Sequence, residues 1–349
     1  MEFVMDIKDL FYPDFKTELE SWGEPAYRAK QVFEWVYRKG ADSFAAMTDL
    51  PMGLRNRLEE TYSLRPLELA GDERSEDGTE KFLFRLDDGR YIESVLIPAG
   101  GRRTLCLSTQ VGCKFACAFC ASGAGGFERN LLASEILGQV LFLRDRLDVR
   151  LTNFVFMGMG EPLDNYDHVV RAIRIMNSPE GLGIAARRMT LSTVGIIPAM
   201  EKLQGLGLQV HLSLSLHATT EDLRSRLLPV NRKYPLKDVI KAGLRYARAT
   251  GRMLTVEYIL ISGVNDSADD ARRLASMART LRAKVNLIPC SPGGGPGYEP
   301  SPGPRQADFL RILEAAGVGA TLRRSKGADI RAACGQLAGK ARQSKHDVI

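Results

Sequence analysis

The chain has 349 residues, of which 26% are charged and 44% hydrophobic, and a formal net charge of +6. That is an ordinary globular composition, long enough for a large core and one or two smaller units. It holds no run approaching the roughly 20 apolar residues of a membrane span. The opening MEFVMDIKDLFY carries acids and no secretory apolar run, so a cytoplasmic protein with reduced thiols is expected. Six cysteines in that setting point to metal or redox chemistry rather than disulfide staples.

Taken in chain order, residues 1–75 read as a small helical domain. EPAYRAKQVFEWVYRKG places Pro25 near a helix start, apolar Val32, Phe33, Trp35 and Val36 along it, and Gly40 at its end. PMGLRNRLEETY, from Pro51, reads as a second helix with Leu54 and Leu58 on one side. Helices this short need each other to be stable. Their bases Arg28, Lys30, Arg38, Lys39, Arg55 and Arg57 suit phosphate contacts, or an ordinary solvated surface, equally well. Residues 76–103 form a β-hairpin extension, because KFLFRLDDGRYIESVLI carries two strand patterns around an Asp-Asp-Gly turn.

Residues 104–325 repeat a rhythm. β-rich runs recur at TLCLSTQ, NFVFMGM, RMTLSTVG, VHLSLSLH, LTVEYILI and KVNLIP. Amphipathic stretches such as SEILGQVLFLRDRL, with Ile136, Leu137, Val140, Leu141 and Leu143, separate most of them. Strand–helix alternation predicts parallel βα units, and about six of them predict an α/β fold built as a partial (β/α)6 barrel. A doubly wound sheet is the alternative. SPGGGPGYEPSPGP (291–304) is a long Pro/Gly-rich loop, the kind often used in function. Residues 326–349 hold Cys334 between small residues and, with Arg323, Arg324, Lys326, Arg331, Lys340, Arg342 and Lys345 close by, read as a basic tail.

The chemistry concentrates at CKFACAFC (113–120), where Cys113, Cys117 and Cys120 fall at C-x3-C-x2-C on the loop after the first barrel strand. Loops at the carboxyl ends of barrel strands carry active sites. Three close thiolates favour zinc or an iron–sulfur cluster. Zinc would need a fourth ligand, for which Cys106 is the candidate. A four-iron cluster with three protein ligands leaves one iron open to a small molecule.

With CKFACAFCASG, MGMGEP (157–162), FERNL, LSTVGIIP, LSLHA, GVND, NLIP and ACGQL together, the chain resembles the radical S-adenosylmethionine (SAM) enzymes, and among them the RlmN group of RNA methyltransferases, which includes Cfr-type enzymes. The resemblance spans nearly the whole chain. It implies a radical SAM core with one 4Fe-4S cluster on Cys113, Cys117 and Cys120. It further implies SAM contacts from Gly160, Glu161, Ser192, Ser215, Leu216 and His217. Cys334 matches a methyl-carrying cysteine, Cys106 a resolving cysteine that pairs with it transiently in a disulfide, and Glu93 in YIESVLIP a general base. The family follows NLIP with a variable residue and asparagine; here Cys290-Ser291 stand there, so Ser291 takes the asparagine's place in the SAM site.

The resemblance also implies the reaction. Carbon 2 of adenine is electron-poor, and a radical route avoids asking it to attack a sulfonium methyl. One SAM methylates the cysteine, and a second, cleaved by one electron, activates that methyl for addition to the ring. The implied partners are 23S ribosomal RNA, tRNA beside the anticodon, and an external one-electron reductant, with the chain acting as a monomer. Methylation at carbon 8, and a non-catalytic zinc-stabilised RNA-binding module, are the alternatives. RNA bound through phosphates would make affinity salt-dependent, and a base inside folded RNA would have to be presented unstacked.

Overall fold

The computed structural model describes residues 4–291, 297–323 and 325–339, with Arg146 described by its backbone alone. Three helices open the chain: α1 (Tyr12–Ser21), α2 (Tyr27–Tyr37) and α3 (Met52–Thr61). Their packing explains their existence. Ala29, Val32, Phe33, Val36 and Tyr37 of α2 fall on one face at i, i+3 and i+4 and are buried. Phe33 meets Phe15 of α1 at 5.4 Å, and Phe15 meets Tyr62 beyond α3 at 6.0 Å.

An antiparallel meander follows: β1 (Glu68–Arg74), β2 (Glu80–Arg85) and β3 (Tyr91–Ala99). The expected hairpin is β2–β3, closed at Asp87-Asp88-Gly89 by Gly89 N–H donating to Leu86 O at 2.9 Å. The sequence reading omits β1, because ELAGDER is mostly exposed and polar and lacks the alternation of a half-buried strand.

β4 (Arg102–Cys106) continues that sheet antiparallel to β3 and starts the parallel part. A two-stranded sheet, β5 (Gln110–Gly112) and β6 (Phe127–Asn130), then brackets a short helix α4 (Ala121–Ala124). The βα series continues through α5 (Ala133–Arg146), β7 (Asn153–Phe156), α6 (Tyr166–Asn177), β8 (Met189–Thr193), α7 (Ile197–Gln204), β9 (His211–Ser215), α8 (Glu221–Leu227) and α9 (Leu236–Thr250). It closes with β10 (Thr255–Leu260), α10 (Ala268–Leu281), β11 (Lys284–Pro289), α11 (Gly303–Ala315) and the short β12 (Ala320–Leu322). The strand order is β1-β2-β3-β4-β7-β8-β9-β10-β11-β12, parallel from β4 onward. The six parallel strands that the sequence predicts are present, with β12 as a seventh whose three residues are too short a pattern to predict.

The sheet is curled. In a flat sheet, six strand spacings would put β4 and β12 roughly 29 Å apart. Yet Arg323, one residue past β12, acts electrostatically on Cys106 at the end of β4. The fold is therefore an α/β partial barrel with helices outside and the amino-terminal helices docked against α5 and α6. The docking combines a shared apolar core with polar ties: Ser134 N–H donates to Asp9 Oδ1 at 2.8 Å, Arg171 to Asp9 O at 2.7 Å and Arg38 to Pro179 O at 2.6 Å.

The sheet β5–β6 clamps the base of the cysteine loop and depends on one glycine. Gly112 has φ +72, and a Cβ there would lie 1.8 Å from Gly126 O. Gly112→Ala is expected to cost about 3 kcal/mol or more. A calorimetric scan should show the melting temperature falling by several degrees; an unchanged one would contradict the clamp.

Candidate active site at the mouth of the barrel

The three cysteines lie on one tight loop. Cys113 N–H donates to Gly126 O at 2.8 Å and Cys120 N–H to Cys117 O at 3.0 Å. Ala116 takes φ 49, and a Cβ on Gly123 would come 2.9 Å from Ala116 Cα, so the turn leaves no slack. Ala118 N–H donates to Leu227 O at 2.9 Å, which ties the loop to α8. The short strand β5, outside the barrel, intervenes between β4 and the loop, so the loop rises from β5 rather than from the barrel strand itself.

Burial pushes the Cys113 thiol up to about 12 and raises that of Cys117 well above the ordinary thiol value, and the neighbouring cysteines add to the effect. These thiols need a cationic centre to be deprotonated. Among the described residues, no three His, Cys, Asp or Glu side chains form a group able to hold a single metal ion. Ligands of a four-iron cluster each bind a different iron and need not converge on one point. A second observation bears on fit. Arg224 is fully buried, and its Nε has no partner. Its Nη1 donates to Asn231 Oδ1 at 2.7 Å and its Nη2 to Val194 O at 2.6 Å, but among the described residues no carboxylate pairs with it within 4 Å. Cys117 and, after it, the Glu221 carboxylate are the charges acting on it. A buried cation needs a nearby anion, and a thiolate-bound cluster, which is anionic, supplies one. The donor set and its surroundings therefore fit an iron–sulfur cluster on Cys113, Cys117 and Cys120. Cys106 has Cys334, not the loop, as its acidic neighbour, and it is poorly placed as the fourth ligand of a zinc site.

Beside the loop, MGMGEP turns at Gly160, φ +97, where a Cβ would meet Gln110 Cβ at 2.5 Å. The turn aims Glu161 inward. Its Oε1 accepts from Leu163 N–H at 3.0 Å and its Oε2 from Val194 N–H at 2.9 Å. Burial raises its pKa to about 7. Across the mouth, Ser192 and Ser215 at the ends of β8 and β9 bring their hydroxyls to 3.2 Å. Leu216 N–H donates to Glu257 O at 3.1 Å. His217, φ 57, accepts at Nδ1 from Ile259 N–H at 3.0 Å, and burial lowers its pKa to about 3. It is therefore a neutral ring carrying its proton on Nε2. Phe119 meets it edge-on at 4.9 Å. Ser291 is buried two residues past β11, and among the described residues no hydrogen bond joins its side chain to the other six positions.

The carboxyl-terminal segment 326–339 has no regular structure and is strapped across this mouth. Asp77 Oδ2 accepts from Gly327 N–H at 3.1 Å, Asp329 Oδ1 from Ser75 Oγ at 2.7 Å, and Ile330 O from Lys81 Nζ at 2.7 Å. Gly335 O accepts from Ala121 N–H at 2.7 Å, and Leu337 O from Ser122 Oγ at 2.6 Å. The strap thereby holds Cys334 within electrostatic reach of Cys106, Cys120, Glu257 and Arg323. The Cys334 side chain is open to solvent, yet desolvation is the largest cause of its raised pKa. Both hold if it lines a recess inside the mouth rather than the outer surface. Cys106 is buried, its thiol pushed up to about 12 by desolvation. Cys106 and Cys334 are free thiols.

Glu93 on β3 is engaged by the strap. Its Oε2 accepts from Ala338 N–H at 2.7 Å and Gly339 N–H at 3.0 Å, and its Oε1 lies 3.3 Å from Lys81 Nζ. Lys81 also pairs with Glu73 at 3.2 Å. Sequence reasoning missed Lys81, Arg224 and Glu257, and read Arg323 as part of the basic tail, whereas it acts on Cys106, Glu257 and Cys334 in the barrel mouth. Each sits in an ordinary strand, helix or loop pattern and gains its setting only from distant chain. Of the six amino-terminal bases, Arg38 docks the bundle as above. Arg55 donates to Ala45 O at 2.9 Å, Lys39 lies 3.9 Å over Trp35, and Arg57 4.3 Å over Trp22. They brace their own domain as well as lining its surface. Arg324, Lys340, Arg342 and Lys345 of the basic tail lie outside the described residues. No helix among the described residues is long and apolar enough to cross a membrane.

Residues 107–275 match the family model described as the radical SAM superfamily, and residues 5–64 match that of the ribosomal RNA large subunit methyltransferase N-terminal domain. A protein of Symbiobacterium thermophilum named as a probable dual-specificity RNA methyltransferase RlmN is 48% identical over 93% of this chain and 88% of its own. The dual-specificity RNA methyltransferase RlmN of Geobacter sulfurreducens is 47% identical over 97% of this chain and 94% of its own. The crystal structure of a radical SAM methyltransferase from Sphaerobacter thermophilus superposes with a TM-score of 0.91 at 44% identity, covering 96% of this chain and all of that one.

Proposed function

The chain belongs to the RlmN family of radical SAM methyltransferases, and from that premise we propose that it methylates carbon 2 of an adenosine in 23S ribosomal RNA and the adenosine 3′ of the tRNA anticodon. It does so through a methylated Cys334, with two SAM molecules per turnover and electrons from an external reductant. The observation that carries this reading is the strap, which brings Cys334 to Cys106 and to the cysteine loop across more than 200 residues of chain. When bound, the cluster supplies the one-electron cleavage of SAM that lets an electron-poor ring carbon be alkylated.

The protein's own groups do the rest. Cys334 takes a methyl and presents it in the recess. Cys106 attacks the Cys334 sulfur to release the product. Glu93 takes the ring proton, which requires Ala338 and Gly339 to withdraw their N–H groups from its carboxylate first. Gly160 and Glu161 receive the methionine end of SAM, with Ser192, Ser215, Leu216 and His217 along its length and Ser291 at the edge. The chain acts in the cytoplasm as a monomer. The 1–75 domain and the basic tail contact RNA phosphates, the 76–103 extension supports the strap, 104–325 carries the chemistry, and 326–349 delivers Cys334.

Mass spectrometry of nuclease-digested RNA, against both methyladenosine standards, tests the product. 2-Methyladenosine is expected in rRNA and tRNA; 8-methyladenosine would move the chain to the Cfr type, and neither would overturn the reading.

Glu161 gives a pH test. Its folded pKa is raised above the ordinary carboxyl value, so the stability it contributes is present below about 4.5 and is lost as pH rises through about 7. That loss is roughly 3 kcal/mol. The ammonium group of SAM would offset it. The SAM-induced rise in melting temperature of the iron-loaded protein should be larger at pH 8 than at pH 6. Equal shifts would argue against a Glu161–ammonium contact.

A further inference from the structure

One buried acid in the barrel mouth has no part in the roles above. Along β10, Val256, Tyr258 and Leu260 face the helices, where Tyr258 meets Phe309 of α11 at 5.5 Å. The alternation of a strand turns Thr255, Glu257 and Ile259 into the lumen. Glu257 is 3% exposed. Its Oε1 accepts from Asn286 Nδ2 on β11 at 3.1 Å, and Ser213 of β9 lies near its carboxyl. Its Oε2 is buried without a partner. Arg323 and Cys334 both lie within electrostatic reach. An orphaned buried oxygen costs about 1–3 kcal/mol, so its retention beside the reactive sulfur calls for a ligand that satisfies it.

We propose that Glu257, with Asn286 beside it, is the receptor for the hydrogen-bonding edge of the adenine to be methylated. This rests on the RNA adenine reading above. Desolvation favours the neutral form of the acid, and a neutral carboxyl offers an O–H donor next to acceptor oxygen. Adenine offers the complement: the bare ring nitrogen N1 next to the N6 amine. Oε2–H donates to N1, and the amine donates to the oxygens of Glu257 and Asn286. Guanine carries N1–H where adenine has a lone pair, so the same O–H rejects it. Carbon 2 adjoins N1, so a base held by this edge turns carbon 2 toward the side where Cys334 lies and carbon 8 away. An extruded base exposes just this edge. SAM carries an adenine as well; its anchors Gly160 and Glu161 stand after β7, and Ser192 and Ser215 end β8 and β9, while Leu216 and His217 bond the backbone of β10 and Ser291 follows β11, so the experiment must separate the two adenines.

The test uses the cluster-loaded full chain and an RNA fragment bearing the target adenosine, purine riboside (no amine) or 7-deazaadenosine at that position. The wild-type enzyme should methylate the 7-deaza RNA at the adenosine rate and the purine RNA about 30-fold more slowly. Glu257→Ala should lose about 30-fold on adenosine and little further on purine riboside, while Glu257→Gln, which keeps a donor beside an acceptor, stays within a few-fold of wild type. SAM affinity should change less than twofold. Equal wild-type rates on adenosine and purine RNA would overturn the assignment without any variant. So would a Glu257→Ala enzyme whose SAM affinity falls with an equal loss on every RNA, which would give the receptor to the adenosyl group of SAM. The assignment is read from ratios between RNAs, whereas the proposed function stands or falls with wild-type methylation of the adenosine RNA.

Discussion

Cys334→Ala is expected to lower RNA methylation by about 10,000-fold or more while leaving iron content, SAM binding and melting temperature at wild-type values. The asymmetry follows from where the residue sits. The strap is held by backbone and neighbouring groups: Gly335 O on Ala121, Leu337 O on Ser122, Ile330 O on Lys81 and Asp329 on Ser75. None of these needs the Cys334 sulfur, which belongs to an exposed residue rather than a packed core. The chemistry, by contrast, has no substitute for it. Cys106 is buried at the end of β4, its backbone paired with Val95 and Val155, and it cannot swing out to carry a methyl. Intact-mass measurement after incubation with SAM should show one added methyl on the wild type and none on the variant. A variant that methylates RNA within tenfold of wild type would remove Cys334 from the mechanism.

Cys106→Ala is expected to give the opposite kind of failure, in which RNA is captured and not released. Once the base is joined through a methylene to the Cys334 sulfur, release needs that carbon–sulfur bond to break with its electron pair going to carbon. Attack by the Cys106 thiolate on the Cys334 sulfur forms a disulfide, and the carbon takes up a proton to become the methyl. The disulfide is then reduced to two thiols by two electrons and two protons from outside the chain, which an added dithiol supplies in the assay. Cys334 acts electrostatically on the Cys106 thiol, and the loop residue Cys120 acts on Cys334. Without Cys106 the adduct persists. Denaturing gels should show an RNA–protein band that nuclease collapses, with turnover stopping at about one equivalent or less. Wild-type turnover without an adduct would assign the resolving step elsewhere.

The fold was legible where the sequence is periodic. Strands such as NFVF and LTVEYIL announce themselves because one face packs on helices, and α5 because Ile136, Leu137, Val140 and Leu143 fall at helical spacing and are buried. β1 was not legible because an exposed edge strand needs no apolar pattern. α1 was missed because YPDFKTELES buries only Phe15 and Leu19. At the site, the loop cysteines and Gly160-Glu161 are local motifs, so spacing exposes them. Glu93 shows the limit. Its identity as a strand residue could be read, but its hydrogen bonds to Ala338 and Gly339 join positions far apart in the chain. Arg224, Lys81 and Glu257 carry no local sign at all, and Arg323 reads only as one base of the tail. Their character comes from burial, and burial is decided by how the sheet curls.

The central claim is that Cys113, Cys117 and Cys120 hold an iron–sulfur cluster with one iron open to SAM. Anaerobic reconstitution followed by iron and acid-labile sulfide analysis tests it directly. Wild-type protein should retain about four irons and four sulfides per chain, and replacing any one of the three cysteines with alanine should abolish retention. A colourless wild-type protein that binds zinc and no iron would contradict it.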